Sequence, residues 1–498
     1  MLYTSTRNNT IRVSAAQAIS RGISEEGGLF VPCEIPSFSL EKIASMVEMN
    51  YISRAKTVLK EFLTDFSEEE LDYCVNGAYA PEKFSSERIA PTVNVNKNEN
   101  ILELWHGPTC AFKDMALQLL PYLMTVSAKK TADGKTIVIL VATSGDTGKA
   151  ALEGFKNVEN TKILVFYPVD GVSPMQKLQM TTQEGENVAV CAINGNFDDA
   201  QSAVKLIFTD NNIKAQLAEK NMMFSSANSI NWGRLVPQIV YYFSAYCDLI
   251  EQNSIKCGDE INVVVPTGNF GNILAAYYAK RMGLPIKKLV CASNSNNVLT
   301  DFIKSGEYNK NREFFTTTSP SMDILISSNL ERLLYHVSGD DAELVNELMT
   351  SLSTDGKYTV SNDLRDKISV LFSGGFADEN GVFETIKEQF KDFGYLCDTH
   401  TAVAVKVYED YVKSSGDDIP TVIDSTASPY KFSKSVLSAV SDDLGDISDE
   451  FKTVDELNRL TGAEVPEPLK ALKNKEVRFK EVCSKENMSE MVFKLLNI

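Results

Sequence analysis

Lys113 is the first residue of this chain whose setting suggests covalent chemistry. It lies in HGPTCAFKD (residues 106–114), after a Gly-Pro turn and an aromatic residue, and a mostly apolar run to Leu120 follows it. At the ordinary lysine pKa of about 10.4 the amine is protonated and cannot act as a nucleophile. Burial, or a place at the positive end of a helix, lowers that pKa and frees the amine for Schiff-base chemistry. The alternative is a surface lysine near the start of a helix.

A second motif, ATSGDTGKA (residues 142–150), follows an apolar run and opens a helical pattern. Such a turn directs backbone N–H groups and the helix dipole at one spot, which favours an anion. It is not a P-loop, because only two residues separate Gly145 from Gly148 and because Ala150 follows Lys149 where Ser or Thr is needed. The alternative is a turn whose Ser, Gly and Asp only cap the helix.

A third motif, PTGNFGN (residues 266–272), also joins a strand pattern to a helix pattern. Its glycines and asparagines allow unusual backbone angles and expose consecutive N–H groups, so the loop could hold a phosphate without a cationic side chain. The spacing of the dinucleotide fingerprint is absent. An ordinary Gly/Asn turn is the alternative.

Two further segments hold single candidate residues. In SSANSINWGR (residues 225–234), Arg234 opposes the dipole of the helix that it opens, a position that phosphate binding would justify. In STASPYKF (residues 425–432), Thr426 follows an apolar strand pattern, at the strand end where open α/β sheets bind ligands. The alternatives are a surface arginine and a turn or N-cap threonine.

The elements that must position these motifs alternate between short apolar strands and longer amphipathic helices. This pattern indicates parallel βαβ units whose sheets are covered by helices. The predicted strands are 136–142, 162–167, 187–193, 260–266 and 287–292, and the predicted helices are 147–156, 174–182, 198–209, 231–249 and 271–282. The first hundred residues are helical and charge-rich in pattern and predict a separate N-terminal domain.

Composition narrows the class of protein. The chain has 498 residues and a net charge of -18, which disfavours nucleic acid and anionic membranes as partners. Nine scattered cysteines without a C-x-x-C pair indicate buried thiols in a reducing compartment, and three dispersed histidines are too few to predict a metal centre. No apolar segment approaches the length of a membrane span, and a cytoplasmic location is expected.

Taken in order, HGPTCAFKD, ATSGDTGKAA, SSANSINWGR, PTGNFGN and STASPYKF resemble the threonine synthase family of pyridoxal-phosphate enzymes, as does GGLFVP at residues 27–32. The resemblance spans nearly the whole chain. It implies fold type II, an α/β fold like that of the tryptophan synthase beta chain, with parallel-rich sheets covered by helices. It also implies an N-terminal domain (1–98), a large cofactor-binding domain (99–143 and 230–498) and a smaller mobile lobe (144–229).

The resemblance also implies a role for each candidate residue. Lys113 would be linked to pyridoxal 5'-phosphate and later act as a base. The predicted cofactor-binding residues are Lys113, Phe112, Asp146, Gly268, Asn269, Phe270, Gly271, Asn272 and Thr426. The predicted substrate-binding residues are Ser144, Thr147, Lys149, Ser229, Asn231 and Arg234. The chain departs from the family pattern at Ser428, where His is common, and at Cys110, where Leu is common.

The implied reaction converts O-phospho-L-homoserine and water into L-threonine and phosphate, the last step of threonine biosynthesis, in a monomer. Two phosphates must then be held at once, and the glycine-rich loop and the Arg234 region are two devices that could do so. A threonine or serine dehydratase-like lyase of the same fold would need only one. A catalytically silent relative that binds a phosphorylated amino acid is the third possibility.

Overall fold

The chain begins with a small antiparallel sheet followed by helices. A computed structural model describes residues 1–131, 134–143, 145–169, 172–195, 197–441, 449–496 and 498. The first elements are β1 (Tyr3–Ser5), β2 (Asn8–Val13), α1 (Ala15–Arg21), β3 (Phe30–Pro32), α2 (Leu40–Ser45), α3 (Tyr51–Phe62), α4 (Glu68–Ala78) and a 3-10 turn (Pro81–Lys83). Strand β1 pairs antiparallel with both β2 and β3.

Alternating strands and helices then fill the middle of the chain. They are β4 (Thr92–Asn94), β5 (Glu99–Glu103), α5 (Asp114–Leu117), α6 (Leu120–Thr131), β6 (Thr136–Ala142), α7 (Asp146–Phe155), β7 (Thr161–Pro168), α8 (Pro174–Thr181), β8 (Val188–Asn194), α9 (Phe197–Thr209), α10 (Asn211–Glu219), β9 (Met222–Ser225), α11 (Trp232–Glu251), β10 (Ile261–Pro266), α12 (Gly271–Arg281) and β11 (Ile286–Ser293).

The C-terminal third is mostly helical. It contains α13 (Val298–Ser305), β12 (Glu307–Asn309), α14 (Leu330–Val337), α15 (Ala342–Thr354), β13 (Lys357–Thr359), α16 (Asn362–Leu371), β14 (Phe372–Phe376), α17 (Glu379–Phe393), α18 (Thr399–Ser415), β15 (Thr421–Ser425), α19 (Ser433–Val440), α20 (Glu450–Thr461), α21 (Glu467–Lys470), β16 (Val482–Ser484) and α22 (Met488–Leu496). Four 3-10 turns lie at Pro320–Met322, Pro429–Phe432, Ala471–Asn474 and Lys485–Asn487.

A six-stranded sheet forms the larger body, in the order β14-β11-β10-β15-β5-β4. All neighbouring strands of this sheet are parallel except β4 and β5, which are antiparallel. Strand β10 reads INVVVP and is buried at every position, as expected for a central parallel strand that helices cover on both faces. The carboxyl ends of β10 and β15 carry the motifs that begin at residues 266 and 425.

A second, five-stranded sheet is wholly parallel, in the order β16-β8-β7-β6-β9. Strand β6 pairs with β7 and β9 and therefore belongs to this sheet, whereas the predicted division at residue 143/144 grouped it with the larger domain. A buried apolar run identifies a parallel strand but does not specify which sheet the strand joins. Strand β16 reaches the same sheet from near the C-terminus.

The predicted strands and helices are present, with ends shifted by at most two residues. The first hundred residues contain β1–β4 and the start of β5 as well as helices. The sequence did not indicate these strands, because strands of three to six residues give little periodic signal. This segment shares its core with the larger body: the Tyr3 and Phe62 rings lie 5.4 and 5.6 Å from the Trp232 ring, and Arg54 pairs with Asp248 at 2.7 Å. Among the described residues, no helix is long and apolar enough to cross a membrane.

Candidate active site

The loop that carries Lys113 is fixed to the segment that follows β15. Phe112 N–H donates to the Thr426 carbonyl at 2.8 Å, and Ser428 N–H donates to the Cys110 carbonyl at 3.0 Å. Within the loop, Asp114 accepts hydrogen bonds from the Thr109 N–H and hydroxyl at 2.8 and 2.7 Å. The start of α5 is therefore held against the carboxyl end of β15, although Asp114 and Thr426 are 312 positions apart in sequence.

Lys113 is buried, with 8% of its surface exposed. Its Nζ lies 3.2 Å from Ser321 Oγ, 3.5 Å from Asp146 Oδ2 and 4.9 Å from the centre of the Phe112 ring. Burial lowers the pKa of Lys113 to about 8, because it disfavours the charged amine more than the nearby Asp146 carboxylate stabilises it. The predicted activation of this amine thus has a physical basis in the structure.

Asp146 opens α7 and faces Lys113 across the site. Its Oδ1 accepts from Lys431 Nζ at 2.8 Å and from Gln176 Nε2 at 2.9 Å. Burial alone would raise the pKa of Asp146, but the Lys431 and Lys113 ammonium groups outweigh burial and hold the pKa far below its usual range. The site therefore contains one ionised carboxylate between two lysines.

The glycine-rich loop lies at the start of α12, as predicted. Phe270 precedes α12 and has a φ of +61°. The Leu274 N–H donates to the Phe270 carbonyl at 3.0 Å and is the first N–H of this helix to bond to the loop backbone. A Cβ on Gly268 would lie 2.7 Å from the Ser321 carbonyl oxygen, so only glycine fits there. Within the described part of the chain, the N–H groups of 268–272 find no acceptor in another segment, which leaves them free for an anion.

A buried hydrogen-bond network supports this loop from behind. Asn272 Nδ2 donates to Asp424 Oδ2 at 2.9 Å, and its Oδ1 accepts from Tyr241 and Tyr242. Burial raises the pKa of Asp424 to about 7. The Asn272 side chain is thus used to hold the loop. Thr426 is 5% exposed, and its hydroxyl has no partner among the described residues.

Arg234, in the first turn of α11, is a buried cation without a counter-ion. It is 5% exposed, and it donates to the Ala227 carbonyl at 2.7 Å and to the Thr147 hydroxyl at 3.4 Å. No carboxylate of the described residues pairs with it, and burial lowers its pKa to about 10. Because an unpaired buried cation is costly, this guanidinium is typical of an anion site.

The other predicted substrate residues have different surroundings. Lys149 is paired with Glu153 at 2.9 Å and also contacts Gln183. Side chains two positions apart on a helix point in directions that differ by about 200°. Thr147 faces Arg234, so Lys149 points to the other side of α7. Asn231 caps α11, and its Nδ2 donates to the Ile19 and Ser226 carbonyls at 3.0 and 2.9 Å, which leaves no donor for a substrate.

Two predicted substrate residues remain. Ser229 lies beside the glycine-rich loop, because a Cβ on Gly271 would be 3.7 Å from Ser229 Cβ. This places Ser229 near the predicted cofactor phosphate. Ser144 lies outside the described residues.

Three family models match the chain in succession: "Threonine synthase N terminus" at residues 2–79, "Pyridoxal-phosphate dependent enzyme" at 86–350 and "Threonine synthase, C-terminal" at 401–492. A threonine synthase of Pseudomonas aeruginosa is 38% identical over 88% of this chain and 90% of its own length. The chain belongs to the threonine synthase family. Its cofactor is pyridoxal phosphate, and its fold is that of the fold type II pyridoxal-phosphate enzymes.

Two other relatives differ in how much of their own length this chain covers. A crystal structure of a pyridoxal-phosphate-bound threonine synthase from Brucella melitensis superposes with a TM-score of 0.87 at 36% identity and covers 99% of both chains. "Threonine synthase-like 1" of Pongo abelii is 42% identical over 85% of this chain. This chain spans only 58% of the length of that relative.

Sequence reasoning missed several polar residues that line this threonine synthase family site. Ser321 lies within 3.5 Å of both Lys113 and Asp146, and its N–H donates to His400 Nε2 at 3.2 Å. Lys431 and Gln176 both bind Asp146. Lys431 lies inside the motif STASPYKF, but Ser321 comes from an irregular segment without a periodic pattern.

The described residues fit pyridoxal phosphate on structural grounds. The cofactor needs an amine that is partly deprotonated near neutral pH and a cradle of N–H groups for its phosphate. Lys113 would supply the first, and the closely packed loop at Gly268 would supply the second. The free hydroxyl of Thr426 offers a neutral partner for a ring nitrogen.

Proposed function

We propose that the chain converts O-phospho-L-homoserine and water into L-threonine and phosphate, as a threonine synthase. The family membership and the two anion sites support this activity. The same reasoning assigns Lys113 as the lysine that carries the cofactor and the loop 268–272 as the cradle for its phosphate.

The uncompensated Arg234 is the observation that carries the proposal. A fold type II lyase that acts on an unphosphorylated amino acid needs one phosphate site, which the glycine-rich loop provides. Arg234 has no carboxylate partner among the described residues. The protein without ligands therefore holds a buried cation whose loss of hydration is uncompensated, as expected for a second anion site. A phosphate on the substrate would satisfy it, and the nearby Thr147 hydroxyl would add a hydrogen bond.

The proposed roles of the protein groups follow from their positions. When bound, pyridoxal phosphate supplies an electron sink for chemistry at the substrate Cα. Lys113, with its lowered pKa, would remove the Cα proton and return protons along the four-carbon chain. Arg234 and Thr147 would hold the substrate phosphate on Cγ and stabilise its negative charge as it leaves. Phe112 and Thr426 would orient the ring.

A product assay tests the proposal. The purified chain is incubated with O-phospho-L-homoserine, with and without added pyridoxal phosphate, and phosphate, threonine and 2-oxobutyrate are measured. Equal amounts of threonine and phosphate support the threonine synthase reaction. Release of 2-oxobutyrate would favour a dehydratase-like lyase, and cofactor bound at Lys113 without turnover of any substrate would favour a silent binding protein.

We also propose a monomer in the cytoplasm, with residues 144–229 and strand β6 as a mobile smaller lobe. None of the nine cysteines forms a disulfide, which supports a reducing compartment. Light scattering of the purified chain measures the oligomeric state, and small-angle scattering with and without substrate measures closure of the lobe.

A further inference from the structure

Lys431 is a buried lysine for which the proposed chemistry has no role. Its side chain is 0% exposed and lies in the 3-10 turn Pro429–Phe432. Its Nζ lies 2.8 Å from Asp146 Oδ1 and 2.9 Å from the Thr109 carbonyl oxygen. The other oxygen of the same carboxylate, Oδ2, lies 3.5 Å from Lys113 Nζ. One carboxylate is thus shared by two lysines at unequal distances.

In a buried site, one carboxylate cannot neutralise two ammonium groups, so the closer of the two is compensated better. The lysine with the shorter ion pair and the additional carbonyl acceptor is the better stabilised cation. Lys431 has both advantages, whereas Lys113 has a longer separation from Asp146 and a serine hydroxyl. Lys113 is therefore the amine that gives up its proton more readily.

Other charged and titratable groups around the two lysines agree with this assignment. Lys113 faces Asp146 on α7, Arg234 on α11 and Lys431 itself, and both of these cations disfavour a charged Lys113. Lys431 faces Asp146, Asp114 on α5 and the Cys110 thiol. Asp146 therefore compensates the charge of Lys431, at 2.8 Å, better than that of Lys113, at 3.5 Å.

We propose that Lys431 is a positioning residue that occupies Asp146 Oδ1, prevents this carboxylate from closing onto Lys113, and so keeps the Lys113 amine free to react. This inference rests on the proposed function, because it takes Lys113 as the lysine that captures the cofactor. A purely structural Lys431 would instead serve only as a tie between Asp146 and the Thr109 carbonyl.

Two substitutions separate charge from hydrogen bonding. Lys431→Met removes both, and Lys431→Gln keeps a donor but removes the charge. In each, Asp146 is left with Lys113 as its nearest cation, so the amine should hold its proton to higher pH. The double variant Asp146→Asn/Lys431→Met removes the carboxylate as well and should reverse the change. Lys83→Met, at a partly buried lysine that bonds to the Gly77 carbonyl, is the control for loss of a lysine.

The experiment follows two pH-dependent rates in the full-length chain freed of cofactor. One is capture of pyridoxal phosphate, by absorbance, and the other is acetylation of Lys113, by peptide mass spectrometry. We expect the midpoint of both profiles to rise by about one pH unit in Lys431→Gln and Lys431→Met, which slows capture near neutral pH about tenfold. The double variant should return the midpoint to the wild-type value or below it, and Lys83→Met should leave it unchanged.

An unchanged midpoint in Lys431→Gln with native circular dichroism would overturn the inference, even if Lys431→Met did not fold. Borohydride reduction of the wild-type holoenzyme and peptide mapping separate this failure from failure of the proposed function. Cofactor attached to another lysine would contradict both the proposed role of Lys113 and the inferred role of Lys431. Cofactor on Lys113 with no shift in Lys431→Gln would remove only the role of Lys431.

Discussion

The hydroxyl of Tyr242 lies 2.7 Å from Asp424 Oδ2, behind the glycine-rich loop. Asp424 is fully buried, and its other oxygen has no hydrogen-bond partner among the described residues. Burial raises its pKa to about 7, whereas an aspartate of the unfolded chain titrates near 4. Between these values the folded chain holds a proton that the unfolded chain has lost, so the free energy of unfolding falls as the pH rises.

The first prediction concerns Asp424→Asn, which keeps the shape and removes this titration. At pH 8 the variant should be more stable than the wild type by a few kcal/mol, at about 1.4 kcal/mol per pH unit between pH 4 and 7. Below pH 4 this advantage should vanish. Urea unfolding over a pH series measures it. Asp363→Asn, at an exposed helix position, is the control, and parallel pH profiles for the wild type and Asp424→Asn would contradict the prediction.

The second prediction concerns Gly268→Ala in the proposed phosphate cradle. The added methyl group would meet the Ser321 carbonyl oxygen at 2.7 Å, so the loop or the serine segment must shift. We expect the dissociation constant for pyridoxal phosphate to rise at least tenfold, with a smaller loss of stability. Equilibrium dialysis measures the affinity. Gly381→Ala, where the nearest atom is the flexible end of Asp378, should leave it unchanged, and equal effects of both variants would argue against a tight cradle.

The sequence predicted the individual motifs of this site better than the contacts between residues of different motifs. Apolar runs predicted the strands, and the motifs predicted Lys113, Asp146 and the loop 268–272, because each of these patterns is contained in a stretch of at most ten residues. The Lys431–Asp146 ion pair joins residues 285 positions apart, so no local pattern indicates it. The position of Lys149 was predictable from the helical period, which places it on the face opposite Thr147. The Asn231 side chain caps α11, a role that its place before a helix also allowed.

The third prediction concerns the neutral partner proposed for the cofactor ring nitrogen. Thr426→Asp places a carboxylate there, which favours a protonated ring and a stronger electron sink. We expect a shifted absorption spectrum of the holoenzyme and a larger share of transamination by-products relative to threonine. Thr426→Ser keeps a hydroxyl and should behave like the wild type. Chromatography of the products together with the visible spectrum makes the comparison, and an unchanged spectrum and product ratio in Thr426→Asp would count against this placement.

The fourth prediction concerns Arg234→Met in the holoenzyme. Removing a buried cation without a counter-ion should stabilise the holoenzyme, in the absence of substrate and phosphate, by about 1–3 kcal/mol. The loss of the hydrogen bond to the Ala227 carbonyl offsets part of this gain. The same change should lower kcat/KM for O-phospho-L-homoserine at least 100-fold, because a buried charge-assisted phosphate contact is lost.

The two effects of Arg234→Met are measured separately, by thermal unfolding and by phosphate release. Inorganic phosphate should raise the Tm of the wild-type holoenzyme, whose loop 268–272 already holds the cofactor, and should not raise that of the variant. Arg281→Met, at a partly exposed arginine that bonds to the Tyr277 hydroxyl, serves as the matched control. A variant that loses stability and keeps its response to phosphate would show that Arg234 is a structural residue and that the second phosphate binds elsewhere.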